Sequence, residues 1–133
     1  MNGQFHHIEI NVSDLTKSTQ FWTWLLTKKF SYSIFQTWNK GISFQLEGMY
    51  LVFVQTDEKH IDTKYNRKNT GLNHIAFHCD SREFVDALTK ELKEKNITIL
   101  YPDKHPFAGG KDHYAVYFED PDRIKVEVIV SRQ

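Results

Sequence analysis

One internal repeat constrains the fold of this chain more than any other feature of its sequence. Residues 5–12, FHHIEINV, align with residues 72–79, LNHIAFHC, and the offset that places His7 on His74 persists through the apolar positions that follow. A shared register over roughly 25 residues indicates an internal duplication. In each half a histidine opens a strand and a helical stretch follows. Two copies of one unit can therefore bring the two histidines together across a pseudo-two-fold axis.

The first half predicts a strand, a helix and three further strands. Residues 5–12 alternate between apolar and polar side chains, as in a strand with one buried face. Ser13-Asp14 is a helix N-cap signal, and an apolar stripe continues to about Lys28. Strands are predicted at residues 30–38, 42–46 and 49–55, the last two forming a hairpin around Glu47-Gly48.

The second half predicts the same order of elements after a polar linker at residues 56–70. A strand at 72–79 precedes Asp80-Ser81, the cap of a helix at 82–95 whose C-cap is Asn96. Strands are predicted at 97–100, 114–119 and 124–130, and the loop 102–113 is long enough to cover a site. We therefore expect one domain of two β-α-β-β-β modules, at about 5–55 and 71–131.

The charge balance excludes several classes of partner. Lys+Arg and Asp+Glu number 17 each, with no basic stripe, which argues against nucleic acid and anionic membranes. No apolar run reaches the ~18 residues of a membrane span and no signal pattern opens the chain, so a cytoplasmic protein is expected. Cys79 is the only cysteine, which excludes an intramolecular disulfide.

A carboxylate in the last strand forms a candidate set of metal ligands together with the repeated histidines. Glu127 lies in the middle of the apolar run 124–130, where a buried carboxylate is costly unless it is paired or binds a cation. His7, His74 and Glu127 on three strands would leave positions free on a divalent ion for substrate. Two nitrogens and one oxygen suit Zn²⁺, Ni²⁺, Mn²⁺ or Fe²⁺, and the sequence does not choose among them.

Three segments, HHIEINVSDLTKSTQFW, TGLNHIAFHC and YAVYFEDPDRIKVEVI, resemble the vicinal oxygen chelate superfamily over nearly the whole chain. This superfamily includes glyoxalase I, fosfomycin-resistance proteins, bleomycin-resistance proteins and extradiol dioxygenases. The resemblance implies an α+β fold in which two βαβββ modules form a curved, cupped mixed sheet with helices outside. It also implies that His7, His74 and Glu127 are the metal ligands, and that the chain forms a homodimer.

The sequence departs from this family in two places. Val52 occupies the position at which many members carry a fourth ligand, so the pattern resembles the three-ligand members. Arg123 occupies a turn position where the family usually has glycine. If that position requires a positive φ, Arg123 is strained by ~1 kcal/mol, unless the turn is of a type that avoids it.

Five further residues are candidates for contact with a substrate. Glu9 shares the face of His7 and is either a general base or a residue that makes a salt bridge or contacts solvent. His78 shares the face of His74, and Trp38 is a candidate pocket wall. His113 and Tyr114 lie where the loop meets a strand, and their facing is not determined by the sequence.

Three functions compete at this point. The first is a metal-dependent lyase, isomerase or transferase, in which the ion chelates neighbouring oxygens of a small substrate. The second is a metal-free binding protein of the bleomycin-resistance kind, with an aromatic-lined pocket between subunits. The third is an extradiol dioxygenase using Fe²⁺, although those enzymes usually have four modules in a chain about twice as long.

Overall fold

The structure is a computed structural model that describes residues 1–131. It divides into two compact units, Met1–Lys64 and the remainder from Tyr65 onward. Each unit contains one mixed sheet and one principal helix, in the strand–helix–strand order that the repeat predicts. The predicted fold class is confirmed.

The first unit contains four strands and a helix. The elements are β1 (His7–Val12), α1 (Leu15–Thr23), a π-helical segment (Trp24–Lys29), β2 (Ser33–Trp38), β3 (Gly41–Leu46), β4 (Met49–Gln55) and a 3₁₀ turn (Glu58–His60). The π-helical segment continues α1 directly, and the 3₁₀ turn follows the last strand. The sheet has the order β1-β4-β3-β2, with β1 parallel to β4 and the other pairs antiparallel.

Helix α1 forms where the capping and hydrophobic signals predicted it. The Oδ1 atom of Asp14 accepts a hydrogen bond from the backbone N–H of Lys17 at 3.2 Å, which satisfies one free donor of the first turn. Trp22 is fully buried and stacks on Phe53 of β4 with ring centroids 4.8 Å apart. The helix is therefore held to its sheet by its apolar stripe.

The second unit repeats this plan with β5 (His74–Cys79), α2 (Arg82–Glu94), β6 (Ala115–Glu119) and β7 (Lys125–Val130). Its sheet has the order β5-β7-β6, with β5 parallel to β7 and β6 antiparallel to it. In both units the first strand thus lies parallel to the last. Ser81 caps α2 by accepting the N–H of Phe84 at 3.1 Å, as predicted.

The predicted strand at 97–100 is wrong. This stretch forms only an isolated bridge between Ile99 and Phe118. Asn96 has a φ of 58° and Tyr101 a φ of 54°, so left-handed residues flank the stretch at both ends. Ile97 also donates its N–H to the carbonyl of Leu92 at the helix end. Too few extended residues remain to build a ladder.

The predicted linker contains local structure. In addition to the 3₁₀ turn, Asn66 accepts two backbone N–H groups, that of Asn69 at its carbonyl and that of Lys68 at its side chain. This is an Asx-type turn, in which the side chain mimics a backbone acceptor. No helix among residues 1–131 has the length and apolar character needed to cross a membrane.

The turn between β6 and β7 holds Arg123 at a positive φ, the alternative in which this residue is strained. Its φ is 68°, so this residue occupies the left-handed region. The Oδ1 atom of Asp120 accepts the N–H groups of Asp122 and Ile124, both at 2.8 Å, and thereby fixes the turn. An L-residue with a Cβ is strained here by ~1 kcal/mol, where glycine would not be.

The β3–β4 hairpin provides a test of the fold. Glu47 and Gly48 have φ values of 48° and 82°, the pattern of a type I′ turn, whose preferred sequence is Asn-Gly. Replacing Glu47 by Asn should raise the free energy of unfolding by about 0.5 kcal/mol, because Asn tolerates the left-handed region better. Urea denaturation measures this change. Gly48→Ala should lower stability, and a destabilising Glu47→Asn would contradict the assigned turn.

Candidate functional site

Glu127 lies at the centre of β7 and is the buried carboxylate around which the second unit assembles its polar residues. Its exposure is only 4%. In the sheet it lies beside Ala76 of β5 on one side and Tyr117 of β6 on the other. An imidazole contacts each of its two oxygens, His74 at Oε1 and His113 at Oε2. The burial cost predicted for this carboxylate is thus offset by polar partners.

The His74–Glu127 contact has the chemistry of a cation site. The Nδ1–H of His74 donates to Oδ1 of Asn73 at 2.7 Å, so in its neutral form the ring presents a lone pair at Nε2. That Nε2 lies 3.1 Å from Oε1 of Glu127, another acceptor. Two acceptors this close are stable only with a proton or a cation to share. The Asn73 contact is the kind of second-shell hydrogen bond that orients metal-bound histidines.

The separation of these two atoms also suits ligation. Two ligands at ~2.1 Å from one ion and at right angles to each other are about 3.0 Å apart, close to the 3.1 Å found here. Among residues 1–131, however, no three or more His, Cys, Asp and Glu side chains are grouped so that they could hold a metal. The structure thus brings two of the three predicted ligands into contact, and metal binding stays a prediction.

His113 belongs to the same cluster, although it comes from the loop that precedes β6. Its Nε2 contacts Oε2 of Glu127 and lies 3.3 Å from the hydroxyl of Tyr117. Its ring stacks against Tyr117 at an interplanar angle of 19°. The sequence predicted a substrate contact for His113. The structure shows that it contacts the carboxylate, and its role toward a substrate stays a prediction.

Sequence reasoning missed Tyr117. This buried residue lies opposite Glu127 across the β6–β7 ladder. Burial raises the pKa of Tyr117 to about 12, and the charge of Glu127, its hydrogen bond to Glu127 and the Tyr101 phenol add to the increase. The phenol therefore stays protonated at neutral pH and can donate. Counting the ladder back from the Glu119–Lys125 pair would have identified it.

Two features fix the surroundings of Tyr117. A Cβ at Gly109 would lie 2.9 Å from the Tyr117 hydroxyl and 2.5 Å from Cδ2 of His113, so only glycine lets the loop approach this closely. Lys125 places its Nζ 5.9 Å from the Tyr117 ring centroid and 3.2 Å from the Tyr101 hydroxyl. The ammonium is therefore a cation close to the cluster, in contact with aromatic rings.

Two other candidates of the second unit have partners away from Glu127. The hydroxyl of Tyr114 donates to Asp86 of α2 at 2.5 Å, beneath the guanidinium of Arg82, which lies 4.7 Å from the ring centroid. His78 is exposed and its Nδ1 lies 2.7 Å from Oγ of Ser131. Their proposed substrate contacts stay predictions.

The remaining candidates belong to the first unit. His7, at the start of β1, is exposed and stacks on Tyr50 with centroids 4.7 Å apart and an interplanar angle of 5°. Glu9 is exposed, and Trp38 ends the edge strand β2 at 45% exposure. Val52 lies beside Glu9 as Glu127 lies beside Ala76, and it is buried. The first unit thus has an apolar side chain where the second has its carboxylate.

Residues 4–128 match the Glyoxalase/Bleomycin resistance protein/Dioxygenase superfamily. The chain belongs to this superfamily, and the resemblance seen in the sequence is confirmed.

Individual relatives extend this finding. The uncharacterised YqjT protein of Bacillus subtilis is 51% identical over 93% of this chain and 96% of its own length. A crystal structure from Bacillus halodurans superimposes with a TM-score of 0.95 at 52% identity, covering 98% of this chain and 97% of that one. The metallothiol transferase FosB of Staphylococcus saprophyticus is 29% identical over 96% of this chain and 77% of its own.

The raised pKa of Tyr117 predicts how stability depends on pH. A folded-state pKa of about 12, above the ordinary 10.0, means that the neutral phenol favours folding below pH 10 and that this contribution is lost as pH rises toward 12. Relative to Tyr117→Phe, the wild type should therefore lose on the order of 1–2 kcal/mol across this window. Denaturant midpoints from pH 9 to 12 measure the difference, and parallel curves for the two proteins would contradict the assignment.

Proposed function

We propose that this chain is a metal-dependent enzyme of the vicinal oxygen chelate type, acting on a small molecule with two neighbouring oxygens. One observation carries the proposal: Nε2 of His74, its opposite nitrogen engaged by Asn73, faces a buried carboxylate oxygen at 3.1 Å. The two groups need a proton or a cation between them at this separation. A divalent cation accounts for both groups.

The proposed ligands are His74 and Glu127 of the second unit together with His7. The first two are supported by their contact, and His7 by the sequence repeat and the family pattern. When bound, the ion would act as a Lewis acid on the substrate oxygens. Zn²⁺, Ni²⁺, Mn²⁺ and Fe²⁺ all suit a set of two nitrogens and one oxygen.

The protein's own residues prepare this site in two ways. Tyr117 lies beside Glu127 with its pKa raised to about 12 by burial and by the charge of Glu127, so a neutral phenol that can donate is kept next to the carboxylate. His113 engages Oε2 of Glu127, which leaves Oε1 as the oxygen directed toward His74. Glu9, an exposed carboxylate on the face of β1 that carries His7, is the proposed general base.

The names of the relatives indicate which reactions to assay first. FosB is named as a metallothiol transferase, so thiol transfer to a small electrophile is the first reaction to assay. A lyase or isomerase reaction of the glyoxalase type is the second, because the superfamily carries that name. A cytoplasmic homodimer is the proposed assembly.

A metal-free binding function is the second candidate. Phe35 and Trp38 on the edge strand β2 are 43% and 45% exposed, and Phe35 packs on Tyr50 with centroids 5.2 Å apart. Exposed aromatic rings on one strand would suit a planar aromatic ligand. Such a protein would bind its ligand with no dependence on His74 or Glu127.

Metal analysis distinguishes the two candidates. The purified wild type should carry near-stoichiometric divalent metal, and its melting midpoint should rise as metal is added, because the ion binds only the folded state. His7→Ala, His74→Ala and Glu127→Gln should each weaken metal binding by at least tenfold. Elemental analysis and thermal-shift titration over Zn²⁺, Ni²⁺, Mn²⁺ and Fe²⁺ measure both effects.

The matched control is His78→Ala, which removes an exposed imidazole from the same strand as His74. It should leave metal affinity unchanged. A wild type that binds no metal and is indifferent to all four ions would overturn the enzyme and favour the binding protein. Loss of metal in His74→Ala and Glu127→Gln but not in His7→Ala would remove His7 from the ligand set.

A further inference from the structure

We propose that the second unit contains a binding site for a small oxyanion, formed by Arg67, Lys68 and Arg123. The site has no residue in common with the Glu127 cluster and does not depend on the function proposed above. Its ligand class is a phosphate or carboxylate group, free or carried by a small molecule. The inference rests on a cavity, an excess of positive charge, a fixed turn and one strained residue.

The cavity has a volume of about 220 Å³ and is lined by Tyr65, Asn66, Arg67, Lys68 and Arg123. A water molecule occupies ≈ 30 Å³ in the liquid, so the space accommodates a tetrahedral oxyanion with water around it. All five lining side chains are polar, three are cationic, and none is a carboxylate. The lining therefore favours a hydrated anion over an apolar ligand.

The positive charge exceeds what the adjacent carboxylate neutralises. Arg67 and Arg123 both bind the same oxygen, Oε2 of Glu119, at 2.6 and 3.4 Å. The other carboxylates of this turn, Asp120 and Asp122, do not line the cavity, although burial and then the charge of Asp120 raise the pKa of the lining residue Tyr65. One carboxylate thus serves two guanidinium groups, while Lys68 adds a third cation. Guanidinium groups bind oxyanions with charge-assisted hydrogen bonds, often two at a time.

The backbone that carries these cations is fixed before any ligand arrives. Asn66 accepts the N–H of Lys68 at its side chain and closes the turn that presents both Arg67 and Lys68. The hydroxyl of Tyr65 donates to the carbonyl of Leu72 at 2.8 Å, and Arg67 donates to the carbonyl of Arg123 at 3.0 Å. A backbone that is already ordered loses less entropy on binding, which favours affinity.

The conformation of Arg123 is the independent observation. Its φ of 68° is one that glycine adopts without strain and that arginine adopts at a cost. Strained residues persist where the surroundings hold them, and they concentrate at functional sites. The side chain is exposed and lines the cavity, so the strained position carries a guanidinium at the cavity.

The decisive variant is Arg123→Gly, because it removes the charge and relieves the strain together. Inorganic phosphate is the probe, titrated into the full chain by NMR or calorimetry at constant ionic strength. The variant should bind phosphate at least tenfold more weakly, while its melting midpoint in phosphate-free buffer equals or exceeds that of the wild type. Weaker binding then cannot be attributed to unfolding. Lys68→Ala should also weaken binding.

Two control variants make the result specific. Lys90→Ala removes one exposed cation from α2, with the same change in net charge, and should keep the wild-type affinity. Glu127→Gln should also bind phosphate normally, which separates this site from a metal centre. A parallel titration with acetate shows whether a phosphate or a carboxylate is preferred. The proposal is overturned if neither anion binds, or if Lys90→Ala loses as much affinity as Arg123→Gly.

Discussion

The buried carboxylate of Glu127 is the constraint on which the polar half of this structure depends. At 4% exposure it must find partners inside the protein, and it does so with His74, His113 and Tyr117. These three come from a strand, a loop and the neighbouring strand. A single charge therefore has partners from both strands beside β7 and from the loop, since leaving the carboxylate unpaired would cost several kcal/mol.

The duplication preserved the sheet plan while the chemistry of the two units diverged. Val52 holds in the first unit the place that Glu127 holds in the second, and its neighbour on β3 is the buried Ser43 where β6 has Tyr117. An apolar strand centre requires no partners and packs by dispersion alone. The first unit therefore needs no polar partner at the centre of its last strand, whereas the carboxylate in the second unit does.

The β6–β7 hairpin supports two separate groups of charged residues. Its strands carry Tyr117 and Glu127, and its turn carries Arg123, beside the cationic cavity. Asp120 ties the turn through two backbone hydrogen bonds, so both groups are held by one short, well-satisfied segment. The turn thus supports both groups, and its left-handed residue Arg123 places a guanidinium beside the cavity.

The sequence by itself determined the features that depend on near neighbours. Alternation gave the strands, Asp14 and Ser81 gave the helix starts, and the repeat with the buried run gave His74 and Glu127. The register of the β6–β7 hairpin also carried the pairing of Tyr117 with Glu127. The tertiary structure alone decided that His113 binds the second oxygen of Glu127 and that residues 97–100 form only a bridge. These outcomes depend on cross-strand register and on loop closure, which arise from contacts between residues far apart in the chain and leave no periodic trace within it.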